Sequence, residues 1–410
     1  MSESRKILNR ALRAALSAVH GRNCVIRALA DRPLSADRVA VLAIGKAAAA
    51  MAAGASEALN GPVSQGGRMA GCLIATKYGH GEEAPDGVEV LESAHPVPDQ
   101  ASLDAGEAVA RFASNLPAGL PVLVLVSGGA SALVERPWPG IGLDDIKRAN
   151  RWLLGSGLDI HAMNAVRSRL STIKAGGLAR LLAGREVRGL LISDVRGDEP
   201  AVIGSGPLVL DDRRGLPDGL PEWLEDLCGR GPEAQADARP ATLDIEIVAS
   251  LEHAKQAAAE SLRDDGLAVT LHDEFLDEDA GRAGLRLARV VLDAAPGAQV
   301  WGGETVVTLP ENPGRGGRSQ HLALSAATVI AGQPDVYLLA AGTDGTDGPG
   351  EDAGGLVDGA TIDRARGLDI ADYLARADAG TVLAASGDLL RTGPTGTNVM
   401  DLVIGLKSGA

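Results

Sequence analysis

The stretch VAVLAIGKAAAAMAAGASEAL, residues 39–59, indicates how this chain folds. It begins with a continuous apolar run, which is typical of a strand buried on both faces of a parallel sheet. Gly45 ends the run, and an alanine-rich helical pattern follows it. A strand, a glycine turn and a helix in this order predict a βα unit, and ligands of α/β domains bind beyond the carboxyl ends of the strands.

The same order recurs later in the chain. VLVLVSGGASALVE, residues 122–135, joins an apolar run to a helical pattern, and VRGLLISD, residues 187–194, ends in a polar loop. Strands that alternate with helices predict a Rossmann-like α/β/α domain, in which a parallel sheet lies between two helical layers.

A second α/β pattern follows a segment rich in proline, glycine and aspartate at residues 207–242. Because 410 residues are many for one core, we expect two domains, residues 1–240 and residues 241–410. The second pattern has predicted strands within residues 243–250, 267–273, 298–309, 336–342 and 399–406, and helices within residues 252–265 and 319–330.

Composition excludes several classes of protein. The net charge of −15 and an aromatic content of 2% argue against nucleic-acid binding, which needs a basic surface and stacking platforms. The three cysteines are widely separated and fit neither a disulfide framework nor a zinc site. The chain shows neither the apolar core of a signal peptide nor an apolar run long enough to span a membrane. We therefore expect a cytoplasmic protein with no membrane partner.

Lys46 is the first candidate for chemistry because it stands where a predicted strand gives way to a helix. A cation there can meet an anion arriving at a helix N-terminus. The alternative is a solvated surface lysine. The turn is not a Walker A loop, since that motif needs Ser or Thr after the lysine and residue 47 is Ala.

Two further strand ends carry polar groups. Ser127, Gly128, Gly129, Ala130 and Ser131 leave backbone amides that could cradle a phosphate or a carboxylate, or they form a simple tight turn. Asp194 ends another predicted strand, where an aspartate is a common metal ligand or general base; an Asx-type turn is the alternative.

The second half adds one cation and several carboxylates. Arg318, in the glycine-rich approach to a predicted helix, suits a carboxylate or a transferring phosphoryl group, unless it simply faces solvent. Glu304 and Asn398 lie in loops where turn chemistry is an equal explanation. The loop of residues 338–355 clusters carboxylates, Asp344 and Asp347 among them, that could hold a divalent metal.

Two other features of the sequence, a glycine motif and a histidine, are not assigned a catalytic role. Gly348, Gly350 and Ala353 match the letters of a dinucleotide fingerprint, but the carboxylates between them would repel a pyrophosphate and no clear helix follows. His95 lies between prolines and is interpreted as a turn residue. Glycine-rich strand ends, two cations and clustered aspartates together are the parts that phosphoryl transfer needs.

The ordered set of motifs resembles the glycerate 2-kinases of the MOFRL group, which carry the older label hydroxypyruvate reductase. The stretches that carry the resemblance run in order from about residue 39 to residue 406: AIGKAA, SAHPVPDQAS, LVSGGASAL, NAVRSRLSTIKAGGLA, LLISDVRGDEPAVIGSGP, GGETVVTL, GRGGRSQHLALS, AAGTDGTDGPGEDAGGLVD and TGPTGTNVMDLVIGL. This chain departs from the usual pattern at Ser319, His321 and Arg196, and none of these is a proposed cation or aspartate.

The resemblance implies a Rossmann-like domain, a mixed α/β MOFRL domain and an active site in the cleft between them. It implies transfer of the ATP γ-phosphoryl group to the 2-hydroxyl of D-glycerate with Mg²⁺. Lys46, Arg318 and Asp194 are then the expected catalytic residues, and Asp194 and Asp347 the expected metal ligands. The expected binding residues are Ser127, Gly128, Gly129, Ala130, Ser131, Asn164, Arg167, Glu304, Asp344 and Asn398.

Two other functions stay open at this point. One is an NAD(P)H-dependent hydroxypyruvate reductase, and the other is a non-catalytic anion-binding protein. Whether the chain acts as a homodimer is also left open.

Overall fold

The computed structural model describes residues 2–60, 68–210, 215–231 and 238–409, and these residues fall into two compact units. We call residues 20–249 the parallel-sheet unit, and residues 1–19 together with 250–410 the mixed-sheet unit. Within the described ranges, no helix is both long enough and apolar enough to cross a membrane.

The parallel-sheet unit contains a sheet whose neighbouring strands all run in the same direction. The strand order is β3-β2-β1-β4-β5-β6, which reverses between β1 and β4 as in a Rossmann fold. The predicted Rossmann-like parallel sheet is therefore confirmed. Its strands in the described part of the chain are β1 (Val39–Ile44), β2 (Met69–Lys77), β3 (Glu89–Ser93), β4 (Val122–Val126), β5 (Glu186–Ile192) and β6 (Thr242–Ala249).

The mixed-sheet unit contains a sheet with one parallel pair, β7 with β8, and otherwise antiparallel neighbours. The strand order is β11-β10-β9-β12-β8-β7, so the predicted mixed α/β architecture is confirmed. Its strands among the described residues are β7 (Val269–Leu276), β8 (Gly297–Gly303), β9 (Val336–Gly342), β10 (Gly354–Asp358), β11 (Leu389–Leu390) and β12 (Asp401–Lys407).

Helices pack against both sheets. In the parallel-sheet unit the described helices are α2 (Gly21–Asp31), α3 (Ala48–Asn60), α4 (Gln100–Asn115), α5 (Ala130–Leu133), α6 (Leu143–Gly155), α7 (Ile160–Leu170), α8 (Gly177–Leu181) and α9 (Glu222–Cys228), with a 3₁₀ turn at Ile203–Ser205. In the mixed-sheet unit they are α1 (Glu3–Val19), α10 (Leu251–Asp264), α11 (Ala280–Asp293), α12 (Arg318–Ile330), α13 (Thr361–Arg364), α14 (Ile370–Ala375) and α15 (Ala379–Ser386).

The apolar run in β1 is buried on both faces of the sheet. Leu42 and Ile44 pack in one core cluster with residues of α4 and α8. Val41 and Ala43, which point to the opposite face, are equally buried, and α3 contacts β1, β2 and β4. Cover on both faces explains why the strand is continuously apolar and does not alternate with polar residues.

Two elements lie in a different unit from the one that the sequence suggests. Strand β6, predicted to open the second domain, pairs with β5 at the edge of the parallel sheet. Helix α1, within the predicted first domain, packs against α10 of the mixed-sheet unit. The reason is tertiary: α1 buries an apolar stripe, and Arg5 on that helix pairs with Asp358 and Asp388.

Candidate functional site

The carboxyl edge of the parallel sheet carries three predicted segments: Lys46 after β1, residues 127–131 after β4 and Asp194 after β5. Ile44 of β1, Val126 of β4 and Leu191 of β5 are neighbours in register, so the loops that follow them emerge side by side. Because adjacent strands lie about 4.8 Å apart, Ile44 and Leu191, on either side of Val126, are separated by about 10 Å. This edge includes the point between β1 and β4 where the strand order reverses, which is where doubly wound sheets bind ligands.

The loops after β1 and β4 are locked to each other by hydrogen bonds. Lys46 N–H donates to Gly128 O at 2.9 Å, and Ala47 N–H donates to Ser127 Oγ at 3.0 Å. Gly45 has a φ of +122°, and a Cβ there would lie only 2.3 Å from Ser127 Oγ. The glycine is therefore needed for the close approach, and Lys46 leaves the sheet from a fixed backbone.

The turn after β4 presents backbone amides without acceptors. Gly129, with a φ of +82°, is the N-cap of α5, and the first amide with a backbone acceptor is Ala132 N–H, 3.0 Å from Gly129 O. Within the described residues, the N–H groups of residues 128–131 have no hydrogen-bond acceptor. Successive free amides at a helix start favour a negatively charged group, so this turn fits a phosphate or a carboxylate.

His95 lies in a bend, as interpreted, and its side chain reaches the same place. A Cβ on Gly129 would lie 3.1 Å from His95 Cδ2 and 3.2 Å from Lys46 Cγ, so both side chains pack beside this glycine. Ser93 Oγ–H donates to Leu133 O at 2.9 Å and ties the end of β3 to α5. The signal in the sequence was the strand VEVLES before AHPVPD, because a residue that follows a parallel strand lies at the ligand edge.

A chain of polar side chains runs beside α5 and includes three predicted binding residues. Ser131 Oγ and Ser205 Oγ are 2.8 Å apart, and Ser205 Oγ–H donates to Asn164 Oδ1 at 2.9 Å. Asn164 Nδ2 donates to Val202 O at 3.3 Å, and Arg167 Nη1 lies 3.5 Å from Asn164 Oδ1. The structure thus brings Ser131, Asn164 and Arg167 together.

Arg167 is a cation in a mostly buried position. Its Nε–H is buried and has no acceptor among the described residues. Burial lowers the pKa of Arg167, and the charge of Glu135 opposes that shift. Glu135 itself is buried and paired with the buried Lys174. Arg167 is therefore left with hydrogen-bonding capacity for an anion.

In the mixed-sheet unit, Arg318 is held by two carboxylates. It is the first residue of α12, and its Nε and Nη2 donate to the two oxygens of Asp401 at 2.6 and 3.2 Å. Its Nη1 donates to Glu304 Oε1 at 2.7 Å. The carboxylates together raise the pKa of Arg318 further above its ordinary value, although burial opposes this, so the guanidinium stays charged.

Asp401 was not predicted as a site residue. It begins β12 and pairs with Gly303 of β8 and Gly342 of β9, so it lies at the carboxyl ends of both strands. Burial raises the pKa of Asp401 to about 7, although the charge and hydrogen bonds of Arg318 oppose that shift. Its signal in the sequence was a lone carboxylate within the apolar run VMDLVIGL.

Asp347 caps a helix in this structure. Its carboxylate accepts the backbone N–H of Ser319 at 3.0 Å and of Gln320 at 2.7 Å, at the start of α12. A Cβ on Gly317 would lie 2.4 Å from Asp347 Oδ1, so the approach needs a glycine. In the described portion of the chain, no group of three or more His, Cys, Asp or Glu is arranged to hold a metal ion. A metal-binding role for Asp347 stays a prediction, and the contacts seen are those of a cap.

The remaining predicted residues of this unit are Asp344 and Asn398. Asp344 Oδ1 accepts the N–H and the hydroxyl of Thr346 at 3.0 and 2.9 Å. A Cβ on Gly342 would lie 3.6 Å from Asp344 Oδ1 and 3.6 Å from Asp401 Oδ1, so these two carboxylates flank one strand end. Asn398 lies in the loop that precedes β12 and is partly buried.

The letters of a dinucleotide fingerprint at Gly348, Gly350 and Ala353 do not form a nucleotide-binding turn. They lie between β9 and β10, which are antiparallel, and the chain runs from them into a strand. The fingerprint needs a helix N-terminus at this point. The structure therefore agrees with its exclusion.

Comparisons with known proteins cover both units of the chain. Residues 7–215 match the family model described as a domain of unknown function, DUF4147, and residues 297–401 match the MOFRL family. A D-glycerate 2-kinase of Thermotoga maritima is 38% identical over 393 residues, which is 91% of each chain. A putative hydroxypyruvate reductase of Agrobacterium vitis is 36% identical over 97% of this chain and 93% of its own.

The fold agrees with these matches. The crystal structure of glycerate kinase from Thermotoga maritima superposes with a TM-score of 0.85 at 35% identity, and the match covers 99% of this chain and 100% of that one. Similarity of sequence and of fold thus extends over both units. The chain belongs to the MOFRL family of glycerate 2-kinases.

Proposed function

We propose that this protein transfers the γ-phosphoryl group of ATP to the 2-hydroxyl of D-glycerate and forms 2-phosphoglycerate and ADP. The observation that carries the proposal is the position of Lys46 beside the free amides of residues 128–131, at the reversal point of the parallel sheet. A relative that is 38% identical and named D-glycerate 2-kinase supports the choice of substrate.

The anionic parts of the substrates fit the parallel-sheet unit. Lys46 and the free amides can hold the carboxylate of glycerate or the phosphates of ATP, and the geometry accepts either. Arg167 adds a second cation whose Nε–H needs an acceptor. These groups act by positioning, which supplies much of the catalysis in phosphoryl transfer.

Arg318 stabilises the group in transfer. The bond between the γ-phosphorus and the bridging oxygen breaks while the glycerate oxygen bonds to that phosphorus, and the hydroxyl proton leaves to a base. Negative charge spreads over the equatorial oxygens, and a fixed guanidinium offsets it.

Asp194 has two roles open to it. It can orient the 2-hydroxyl and accept its proton, or it can bind Mg²⁺. Mg²⁺ is usually held by one or two carboxylates together with phosphate oxygens and water, so no larger cluster of protein ligands is needed. Asp194 is the predicted metal ligand that fits this pattern, because the contacts of Asp347 are those of a cap on α12. When bound, the metal would neutralise charge on the ATP phosphates.

The test is to incubate the purified protein with ATP, Mg²⁺ and D-glycerate, and to identify the product by ³¹P NMR. ADP and 2-phosphoglycerate are expected. A 3-phosphoglycerate signal would correct the position of transfer, and the absence of glycerate-dependent ADP would refute the proposal.

The reductase alternative has weaker support. The relatives from Agrobacterium vitis carry the name putative hydroxypyruvate reductase, but the glycine motif in this chain leads into a strand. Oxidation of NADH or NADPH with hydroxypyruvate would establish that activity. A protein that only binds anions would bind glycerate without releasing ADP. We also propose a cytoplasmic location and small-molecule partners only.

A further inference from the structure

The two carboxylates that hold Arg318 differ in burial. The side chain of Asp401 is 11% exposed and that of Glu304 is 49% exposed. An exposed carboxylate moves at little cost because water replaces its partner, whereas a buried one has no such alternative. Asp401 is therefore the fixed partner of Arg318, and Glu304 is the exchangeable one.

The sheet holds the backbone of Asp401 in place. Asp401 pairs on one side with Gly303 of β8 and on the other with Gly342 of β9, so its backbone lies between two strands. Both carboxylate oxygens accept from Arg318, at 2.6 and 3.2 Å. Such a two-point contact fixes the plane of a guanidinium, which a single contact does not.

This arrangement leaves part of Arg318 available. A guanidinium has five N–H donors. Asp401 accepts two of them and Glu304 accepts one, which leaves two without an acceptor in the part of the chain that the structure describes. If Glu304 leaves, both N–H groups on Nη1 and one on Nη2 can meet an anion.

We propose that Asp401 is the positioning residue of this site: it holds Arg318 in the plane in which Nη1 and Nη2 meet the transferring phosphoryl group, and that group displaces Glu304. The inference rests on the proposed phosphoryl transfer, and it adds a residue that supports the cation. Asp401 does not itself touch the substrate. Loss of its second charged oxygen would let the guanidinium rotate, and a misplaced cation stabilises the transition state less.

The test compares Asp401→Asn with a matched control, Asp388→Asn. Asp388 is also a buried aspartate of the mixed-sheet unit, and it pairs with Arg5 at 2.8 Å and Arg364 at 2.7 Å. D401N is expected to lower kcat about 100-fold or more while the KM values change by less than about threefold, as for the loss of a transition-state contact. D388N is expected to lower the melting temperature, because a buried ion pair is lost. Its kcat should stay within about twofold of the wild-type value, because the molecules that remain folded keep the contact between Asp401 and Arg318.

Three results would overturn the inference. One is a wild-type kcat in D401N, and another is an equal fall of kcat in D388N, which would show that any buried ion pair has this effect. If D401N does not fold, Arg318→Lys replaces it, because lysine keeps the charge and cannot form the two-point contact. Turnover within about threefold of wild type in R318K is the third.

A readout independent of activity separates this inference from the proposed function. In ¹⁵N spectra, the Nε–H signal of Arg318, assigned by its absence in R318K, should be sharp in the wild type and broadened in D401N. If the wild type forms no ADP, the proposed reaction fails, but these spectra still test the hold of Asp401 on Arg318. An unchanged Nε–H signal in D401N would contradict the inference that Asp401 fixes the orientation of the Arg318 guanidinium.

Discussion

Lys46 and His95 both lie beside Gly129, where a Cβ would be 3.2 Å from Lys46 Cγ and 3.1 Å from His95 Cδ2. Gly129 thus brings together the loop after β1, the loop after β3 and the turn after β4, three segments that are far apart in sequence. Because Gly129 also lies within the run of free amides at residues 128–131, it links the cation to the anion-binding backbone.

Gly129→Ala should therefore impair activity more than stability. Its φ of +82° and the short contacts force either the backbone or the two side chains to move. A non-glycine residue in this region costs about 1–2 kcal/mol. Gly87→Ala is the matched control, since Gly87 has a φ of +76° and nothing within 4 Å of the added Cβ. We expect similar losses of stability by denaturant unfolding, and a large loss of kcat/KM in G129A alone. Equal activity in both variants would contradict the placement of Gly129 in the site.

Lys46→Ala should lower turnover strongly without unfolding the protein. The side chain leaves a backbone that is fixed by other atoms, since Lys46 N–H bonds Gly128 O and Ala47 N–H bonds Ser127 Oγ. Loss of a positioned cation costs about 100-fold or more in phosphoryl transfer. Steady-state ADP release and thermal unfolding measure the two effects. Near-normal turnover in K46A would show that the lysine has another role.

Asp347→Ala tests the capping role of that residue against its predicted metal-binding role. Loss of the acceptor for Ser319 N–H and Gln320 N–H should lower the free energy of unfolding by about 1–2 kcal/mol. Asp347→Asn should lose less, because one acceptor oxygen remains. The Mg²⁺ concentration for half-maximal activity should stay the same in D347N. A large rise in that concentration with unchanged stability would instead make Asp347 a metal ligand.

The pH dependence of stability should differ between the wild type and D401N. Burial raises the pKa of Asp401 to about 7, so between the ordinary value near 4 and pH 7 the native state binds more protons than the unfolded state. Stability from this group is therefore full at low pH and is lost as pH rises through 7. The loss amounts to about 4 kcal/mol at most.

The amide that replaces this carboxyl group in D401N does not titrate, so the stability of the wild type should fall relative to that of D401N as the pH rises from 5 to 8. Urea unfolding at both pH values measures the difference. The charged groups that act on Asp401 are Arg318, Asp347 and Glu304, and each must stay unchanged in the comparison. A stability difference between the wild type and D401N that stays the same from pH 5 to pH 8 would contradict the expectation.

The buried pair of Lys174 and Glu135 should be sensitive to removal of one partner. Their side chains are 2% and 1% exposed, so Lys174→Met leaves a buried carboxylate without its main counter-charge. The free energy of unfolding should fall by about 3–5 kcal/mol. The double variant Glu135→Leu with Lys174→Met should recover part of this, because no lone charge remains. Chemical denaturation measures both, and no recovery in the double variant would point to a role beyond pairing.

The first sheet was predictable because its strands follow local rules. The runs at residues 39–44 and 122–126 are apolar throughout and lead into glycine turns, and they form β1 and β4. Strands β2, β3 and β10 were not predicted from the sequence, because they are mixed in polarity or lie next to segments rich in charge. Pairing with a neighbouring strand makes such segments regular, and a single sequence does not display that partner.

The site was predictable in its residue types but not in its contacts. Lys46, Asp194 and Arg318 were identified because each follows a strand end or precedes a helix. His95 and Asp401 were missed, since each becomes part of the site only through residues far along the chain, Gly129 for one and Arg318 for the other.

By itself, the sequence determined the α/β class, the glycine turns at the strand ends and the family of the chain. The spacing of apolar residues, the identity of turn residues and the order of the motifs can all be read along the chain without knowing which segments pack together. Only the tertiary structure decided which unit holds α1 and β6, that Asp347 caps α12, and that Asp401 holds Arg318. These depend on burial and on hydrogen bonds between distant segments, whose free energies arise only once the sheets have assembled.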